Sequence, residues 1–340
     1  MARSASVDEP AMSGRLTVLD GWRGISILLV LVTHLLPLRV FGRLDYFTAT
    51  AGMAVFFCLS GFLISEFLHT KPHLGAFMIR RICRIVPLAW LYLVCIWLLY
   101  EPALGDMAAN FLFVANLPPQ RFLPAAAHFW SLCQEMQFYF VAALSFFFLR
   151  ARFVYVLALI GLAVIGLRVY DGVHASSITY YRLDEILAGC LLSAALRSSK
   201  QGEIKRWLGR LPLALLLVLF VASCLMQAGW VNYLRAPLCA LLVGATLMQP
   251  DSVLVKALGA RWLVYVAGIS YALYVWHPLL ADTWLGQGDL ITKYAKRPLL
   301  MLVLFVLAHL STKYYERWWM DLGRKLERRT RRVEPGTSTV

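Results

Sequence analysis

Long apolar runs separated by short polar segments repeat along nearly the whole chain. Ten of them approach the length of about 17 to 25 residues that an α-helix needs to cross the hydrocarbon core of a bilayer. They cover residues 22–37, 49–68, 82–100, 128–149, 153–169, 180–196, 213–229, 233–248, 262–281 and 298–314. The runs lack the two-residue alternation of a membrane barrel. The pattern therefore predicts an all-α integral membrane protein with about ten transmembrane helices.

An eleventh apolar run, residues 107–117, is too short to span and ends in a segment with two prolines, Pro118 and Pro119. Proline terminates helices, so this run predicts one short interfacial or re-entrant helix. The two ends of the chain are polar, which is typical of disordered segments. We therefore expect a cytoplasmic leader at 1–14, a membrane domain at 15–322 and a basic cytoplasmic tail at 323–340.

Composition and charge agree with this interpretation. Hydrophobic residues make up 60% of the chain, above the roughly 45 to 50% of soluble domains. The net charge of +14 does not indicate nucleic acid, because the basic residues stand between apolar runs and form no stripe interleaved with aromatics. With the N-terminus inside, 24 of the 33 Lys and Arg residues fall on the cytoplasmic side. The positive-inside rule therefore predicts that both termini are cytoplasmic.

The seven cysteines lie in or beside apolar runs, with no CxxC pair and no histidine at metal-ligand spacing. We expect neither a disulfide nor a metal site.

Five ionisable residues fall inside predicted spans at a similar depth, in the outer half of the membrane. They are His34, Glu135, Arg182, Asp184 and His277. Ionisable groups in lipid are costly and usually mark a site. Structural ion pairs, Arg182 with Asp184 or with Glu135, are the alternative. The shared depth favours a functional cluster.

A second group of charges faces the cytoplasm. Arg23 lies eleven residues before His34, so the two share one face of a helix about 16 Å apart. Arg81 and Arg84 are three residues apart, which places two guanidinium groups on one helical face and suits phosphate oxygens. Positive-inside anchoring or contact with lipid headgroups is the alternative.

Seven sequence blocks resemble the bacterial acyltransferase 3 family, and they occur in the family's order. The resemblance runs from Leu19 to about Arg317. The blocks are Leu19 to Gly24 with His34, Phe56 to Phe62, Arg81 to Pro87, Trp130 to Glu135, Tyr181 to Asp184, Ser270 to Pro278, and Glu316. Members of this family are multi-spanning O-acyltransferases that modify cell-envelope glycans and some secondary metabolites.

The resemblance implies an acyl-coenzyme A donor in the cytoplasm, usually acetyl-CoA, with no permanently bound cofactor. The acceptor would be a hydroxyl of a cell-envelope or exported glycan, and the location the bacterial inner membrane. By this analogy Arg23, Arg81 and Arg84 hold the donor's phosphates and His34 is the general base. Glu135 would orient the imidazole or stabilise its cation. The remaining candidates, for substrate contact or support of the site, are Arg182, Asp184, Ser270, Tyr271 and His277.

The chain departs from the family pattern in two places. It ends soon after the last span, so we expect a member without an extracytoplasmic SGNH domain. Met136 stands where many members carry a second acid, which leaves Glu135 as the carboxylate of that block.

A polytopic transporter of a small polar or glycan-like solute is the competing function. Transporters often contain internal repeats, and none is visible here. A scaffold without turnover is a third possibility, and coenzyme A binding would separate the enzyme from both. The sequence leaves the identity of the acceptor open.

Overall fold

The computed structural model describes residues 9–36, 42–70, 73–149 and 153–333, and in these ranges the regular elements are all helical. The α-helices are α1 (Glu9–Leu35), α2 (Gly42–Thr70), α3 (Leu74–Tyr100), α4 (Leu104–Phe111), α5 (Trp130–Leu149), α6 (Phe153–Tyr170), α7 (Leu183–Ala195), α8 (Gln201–Arg210), α9 (Leu213–Ser223), α10 (Arg235–Met248), α11 (Val253–Leu258), α12 (Arg261–Gly268), α13 (Ser270–Asp282), α14 (Leu290–Leu310) and α15 (Arg317–Val333).

Five helical segments among the described residues are long and apolar enough to cross a membrane. They are Thr17–Leu35, Leu44–Thr70, Leu74–Tyr100, Ala125–Leu149 and Gln227–Met248. Two bent helix pairs raise the number to seven if each pair counts as one span. The chain is therefore a multi-pass membrane protein. The expected number of ten spans and the cytoplasmic position of both termini stay predictions.

The bent pairs lie where the sequence predicts continuous spans or their edges. Helices α8 and α9 meet at 84°, at Pro212, whose ring cannot continue a helix. Helices α12 and α13 meet at 68° within the predicted span 262–281. The break at Ile269 starts a new helix at Ser270. Helix α13 then carries Tyr274 and His277 into the protein interior.

Helix α2 is the centre of the bundle and packs most closely against α7. A Cβ atom added to Gly61 would lie 1.9 Å from the Ile186 carbonyl oxygen, and one added to Gly189 would lie 1.9 Å from the Cys58 carbonyl oxygen. Small residues let two backbones approach in this way. The Cys190 thiol also lies 3.1 Å from the Gly61 carbonyl oxygen. Glycine at these two positions thus sets the distance between α2 and α7.

The last part of the chain is one long helical run. Helix α14 passes through a π-helical turn, Ser311–Glu316, into α15, and α15 packs against α3 where Gly323 lies close to Cys83. The predicted basic tail is thus helical as far as Val333, and residues 334–340 lie outside the described part.

At the other end, α1 begins at Glu9, within the predicted leader, whose residues 1–8 also lie outside the described part. The short run at 107–117 contributes only the end of α4, an eight-residue helix.

Candidate active site

Helices α1, α2, α3, α5 and α13 line a cavity in the bundle whose empty volume, including the part open to solvent, is about 830 Å³. We call it the arginine cavity. Much of its wall is apolar, and its polar lining residues include Arg23, Ser60, Arg81, Arg84, Glu135 and Tyr271. The three arginines predicted from spacing along α1 and α3 thus meet in one space.

Arg81 and Arg84 reach this cavity without carboxylate partners. The Arg81 guanidinium lies over the Tyr139 ring at 5.2 Å. Arg84 Nη1 lies 3.7 Å from the Met320 sulfur. Within the described residues, neither arginine forms an ion pair. Their positive charges are therefore available to an anionic ligand.

The neighbouring cations differ in this respect. Arg23 Nη1 lies 3.4 Å from Asp20 Oδ1, an ion pair that remains partly exposed. Arg80, directly beside Arg81, forms an ion pair with Glu327 of α15. Arg80 thus links α3 to α15, whereas Arg81 faces the arginine cavity.

A second space opens next to the arginine cavity, with an empty volume of about 690 Å³. We call it the basic pocket, and it is lined by Phe67, Phe77, Arg80, Arg81, Arg84, Met320 and Arg324. Arg81 and Arg84 line both spaces. Four guanidinium groups line the basic pocket, and two of them, those of Arg80 and Arg324, are paired with Glu327 and Asp321. It is therefore suited to a multiply charged anion.

On the opposite side of the arginine cavity lies a space of about 840 Å³ that we call the histidine cavity. Its lining includes His34, Tyr46, His128, Trp130 and Arg182. Three side chains line both this cavity and the arginine cavity: Val30, Met53 and Tyr274. The two cavities therefore adjoin across a partition made of these three residues.

Three imidazoles cluster beside the histidine cavity, and two of them, His34 and His128, line it. The ring centroids of His34 and His277 are 5.0 Å apart, and those of His128 and His277 are 5.3 Å apart. His34 is exposed, whereas the other two are buried. His34 and His277, which the sequence linked only through their similar predicted depth in the membrane, are thus in ring contact.

The hydrogen bonding of His277 determines which of its nitrogens is protonated. Nδ1 lies 2.7 Å from the carbonyl oxygen of Tyr274, which can only accept, so Nδ1 donates. Nε2 then carries a lone pair and has no partner in the described part of the chain. Sequence reasoning missed His128. Its position at the start of the predicted span 128–149, at the depth of His34, is the signal that could have identified it.

Glu135 lies on the other side of the partition from His34. Its carboxylate accepts hydrogen bonds from Ser60 and from Tyr139, the latter at 2.5 Å. It lines the arginine cavity and is absent from the lining of the histidine cavity. The structure therefore places Glu135 with the arginines, and His277 is the ring next to His34.

The two remaining candidates on α13 support the arginine cavity. Ser270 and Tyr271 both line it. The Tyr271 hydroxyl donates to the Ile85 carbonyl oxygen at 2.5 Å and so joins α13 to α3. Tyr274, one turn further, donates to the His128 carbonyl oxygen and lies 2.7 Å from the Ser131 hydroxyl. These contacts hold the partition in place.

Behind the histidine cavity lies a buried charge cluster of five residues: Arg168, Arg182, Asp184, Glu185 and Arg235. Arg168 pairs with Asp184. Glu185 accepts from Arg182 Nε at 3.2 Å and from Arg235 Nε at 2.6 Å. The alternative ion pairs predicted for Arg182, with Asp184 or Glu135, do not form. Arg182 pairs with Glu185 instead. Asp184 does not line the cavity and acts within the cluster.

Within the described ranges, no group of three or more His, Cys, Asp or Glu side chains is arranged to hold a metal ion. All seven cysteines are free.

The chain is similar to known acyltransferases. The model of the acyltransferase domain family (Acyl_transf_3) matches residues 16–317. The O-acetyltransferase OatA of Staphylococcus aureus is 27% identical over 326 residues, which cover 80% of this chain and 52% of the relative. The peptidoglycan O-acetyltransferase OatA of Listeria monocytogenes is 23% identical, over 88% of this chain and 54% of the relative. This chain thus spans about half the length of the curated relatives it matches. No solved structure matches it significantly.

Proposed function

The chain belongs to the acyltransferase domain family, and from this premise we propose that it transfers an acetyl group from cytoplasmic acetyl-CoA to a hydroxyl of a cell-envelope glycan. The names of its relatives support the acetyl group, and the peptidoglycan in one of those names supports an envelope glycan as acceptor. The location would be the bacterial inner membrane. The observation that carries the proposal is the row of three adjoining spaces, from the basic pocket through the arginine cavity to the histidine cavity.

The donor enters by the basic pocket. Coenzyme A carries several phosphate charges, and guanidinium groups bind phosphate oxygens in a bidentate manner. Arg81 and Arg84 suit this role because they have no carboxylate partners among the described residues and face both spaces. Arg23, further along the cavity wall, adds a third positive charge. The pantetheine arm then lies along the apolar wall, with the thioester at the partition of Val30, Met53 and Tyr274.

His34 acts as the general base on the opposite side of the partition. It removes the proton from the acceptor hydroxyl while that oxygen attacks the thioester carbonyl carbon. The carbon–sulfur bond breaks, and the departing coenzyme A thiolate accepts the proton from the His34 imidazolium. The products are the O-acetylated glycan and free coenzyme A. The His34 ring is exposed, so a substrate in the histidine cavity can reach it.

His277 and Glu135 have supporting roles in this scheme. The Nε2 lone pair of His277 faces no other described partner, and its ring lies 5.0 Å from His34. His277 therefore restricts the orientation of the His34 ring by packing against it. Glu135 lies with Arg81 in the arginine cavity and is assigned to the donor side, where it fixes Ser60 and Tyr139.

The decisive experiment measures transfer of radiolabelled acetyl from acetyl-CoA to the host's envelope glycan in membranes that contain the protein. The His34→Ala variant should lose the transfer. His309→Ala is the matched control, because His309 lies on α14 beside Tyr265 and does not line the three spaces. It should keep the transfer.

Two results would contradict the proposal. Retained transfer by His34→Ala would remove the general-base role. An absence of transfer by the native protein, together with no coenzyme A binding after purification, would refute the donor assignment and favour a transporter.

A further inference from the structure

The buried charge cluster contains more positive than negative side chains. Its three guanidinium groups face two carboxylates, and both carboxylates are occupied by the pairings of Arg168 with Asp184 and of Arg182 and Arg235 with Glu185. All five residues are buried. A buried charge without compensation is unfavourable, so a positive charge in excess at this place favours an anion nearby.

Arg182 is the member of the cluster that reaches the histidine cavity. Glu185 holds its Nε at 3.2 Å, and the Trp130 ring lies 5.3 Å from its guanidinium carbon. Its main-chain carbonyl accepts from Gln134 Nε2 at 2.7 Å. These contacts fix the plane of the guanidinium group. Within the described residues its two terminal nitrogens form no hydrogen bond, and they are the pair that binds a carboxylate or phosphate side-on.

The cavity offers no competing negative charge. Its described lining residues include two histidines and several hydroxyl groups, from Tyr46, Thr50, Ser176 and Ser177, but no aspartate or glutamate. Asp45, in the first turn of α2, does not line this space. An anionic ligand in the cavity would therefore contact Arg182 without repulsion from a carboxylate of the cavity lining.

We propose that the acceptor glycan carries an anionic oxygen group, a carboxylate or a phosphate monoester, that Arg182 binds while His34 deprotonates the hydroxyl. This inference rests on the proposed acyltransferase function and names the class of acceptor. It also explains why the cluster contains three arginines and only two acids. The anionic group of the substrate supplies the third negative charge.

The test uses the native protein and three forms of the host's envelope glycan as acceptor. One form is untreated, in the second the carboxylates are converted to primary amides, and in the third phosphate monoesters are removed with a phosphatase. Amidation leaves every hydroxyl in place, so it changes the charge and not the reacting group. Acetyl transfer should fall roughly 10 to 100-fold in the amidated form if the anion is a carboxylate, and in the phosphatase-treated form if it is a phosphate.

Variants of Arg182 connect the effect to this residue. Arg182→Gln should bring the ratio of transfer between the untreated and the charge-depleted glycan to about one. Arg182→Lys keeps the charge and should retain part of the ratio. Arg121→Gln is the control, because Arg121 is half exposed beside Asp106 and lines none of the three spaces.

The outcomes separate this inference from the proposed function. Equal transfer to all three glycans by the native protein would overturn the inference and leave the acyltransferase intact. No transfer to any of them would refute the proposed function, and the inference with it. Because the glycan comparison uses native protein, it remains decisive even if Arg182→Gln does not fold.

Discussion

Two sets of three arginines have different surroundings in this molecule. The cavity set consists of Arg23, Arg81 and Arg84, and the buried set of Arg168, Arg182 and Arg235. In the buried set every arginine has an acidic partner from α7, and all three side chains are at most 5% exposed. In the cavity set only Arg23 has an ion pair among the described residues, and that pair with Asp20 is partly exposed.

The difference separates arginines whose acidic partners hold the fold from arginines that face a cavity without such a partner. Arg182 belongs to the first group, and it also reaches the histidine cavity. A buried guanidinium must be paired, because its desolvation is costly. Removing its partner therefore affects stability first. A guanidinium that faces a cavity without a partner contributes little to stability, and its removal affects binding. The four predictions below test this division, from the largest expected effect to the smallest.

Loss of Glu185 should destabilise the protein most. Glu185→Gln keeps the shape of the side chain but leaves Arg182 and Arg235 without their shared negative charge in the interior. We expect a loss of about 3 to 5 kcal/mol in the free energy of unfolding. Thermal unfolding of the purified protein in detergent measures it. Glu203→Gln, on the exposed face of α8, is the control and should unfold like the native protein. An unchanged melting temperature for Glu185→Gln would show that the buried set is not structural.

Loss of Arg81 or Arg84 should affect the donor instead. Arg81→Ala and Arg84→Ala each remove a charge that can contact phosphate, so the KM for acetyl-CoA should rise roughly 10 to 100-fold. The melting temperature should stay close to that of the native protein. The exposed Arg206 of α8 supplies the control variant, Arg206→Ala. A fall in melting temperature with an unchanged KM would place these arginines with the structural set.

Salt should distinguish the two sets in the native protein. Between about 0.05 M and about 0.5 M salt the Debye length shortens markedly, which screens accessible charges more than buried pairs. The KM for acetyl-CoA should therefore rise several-fold, and this slope should be smaller in Arg84→Ala. Measurement of transfer rates against donor concentration at each salt level gives both values. The same slope in the native protein and the variant would argue against a phosphate contact at Arg84.

Arg80 should show the smallest effect. It lines the basic pocket, but it is paired with Glu327, and its side chain is 38% exposed. We expect Arg80→Ala to cost at most about 1 kcal/mol of stability and to change the KM for acetyl-CoA less than Arg81→Ala does. Both variants can be compared in the same assay. If Arg80→Ala raised the KM as much as Arg81→Ala, position in the pocket rather than freedom from a partner would decide which arginine binds the donor.

The site could be predicted from the sequence where its residues share one helix. The eleven-residue spacing of Arg23 and His34 and the three-residue spacing of Arg81 and Arg84 give positions on a helical face, because the helix period is constant. The depth of His277 was also readable. Glu135 shows the limit of depth as a guide. It has a depth similar to that of His34, yet it points into the arginine cavity, where Ser60 and Tyr139 bind it.

The residues that sequence reasoning missed all depend on contacts between helices. Glu185 stands next to Asp184 in the chain, and nothing in the order of residues shows that it is the one shared by two arginines. His128 stands at the start of a predicted span, where a histidine has many ordinary roles. Its significance comes from its ring contact with His277.

The sequence by itself determined that this chain is an α-helical membrane protein of the acyltransferase family, with candidate arginines and a candidate histidine at defined helical positions. Hydrophobic length and helical period are local properties, so they can be read along the chain. The tertiary structure alone decided which charges are paired and which rings meet. Those contacts depend on how helices rotate and approach one another, as at Gly61 and Gly189, where two backbones lie so close that neither position has room for a side chain.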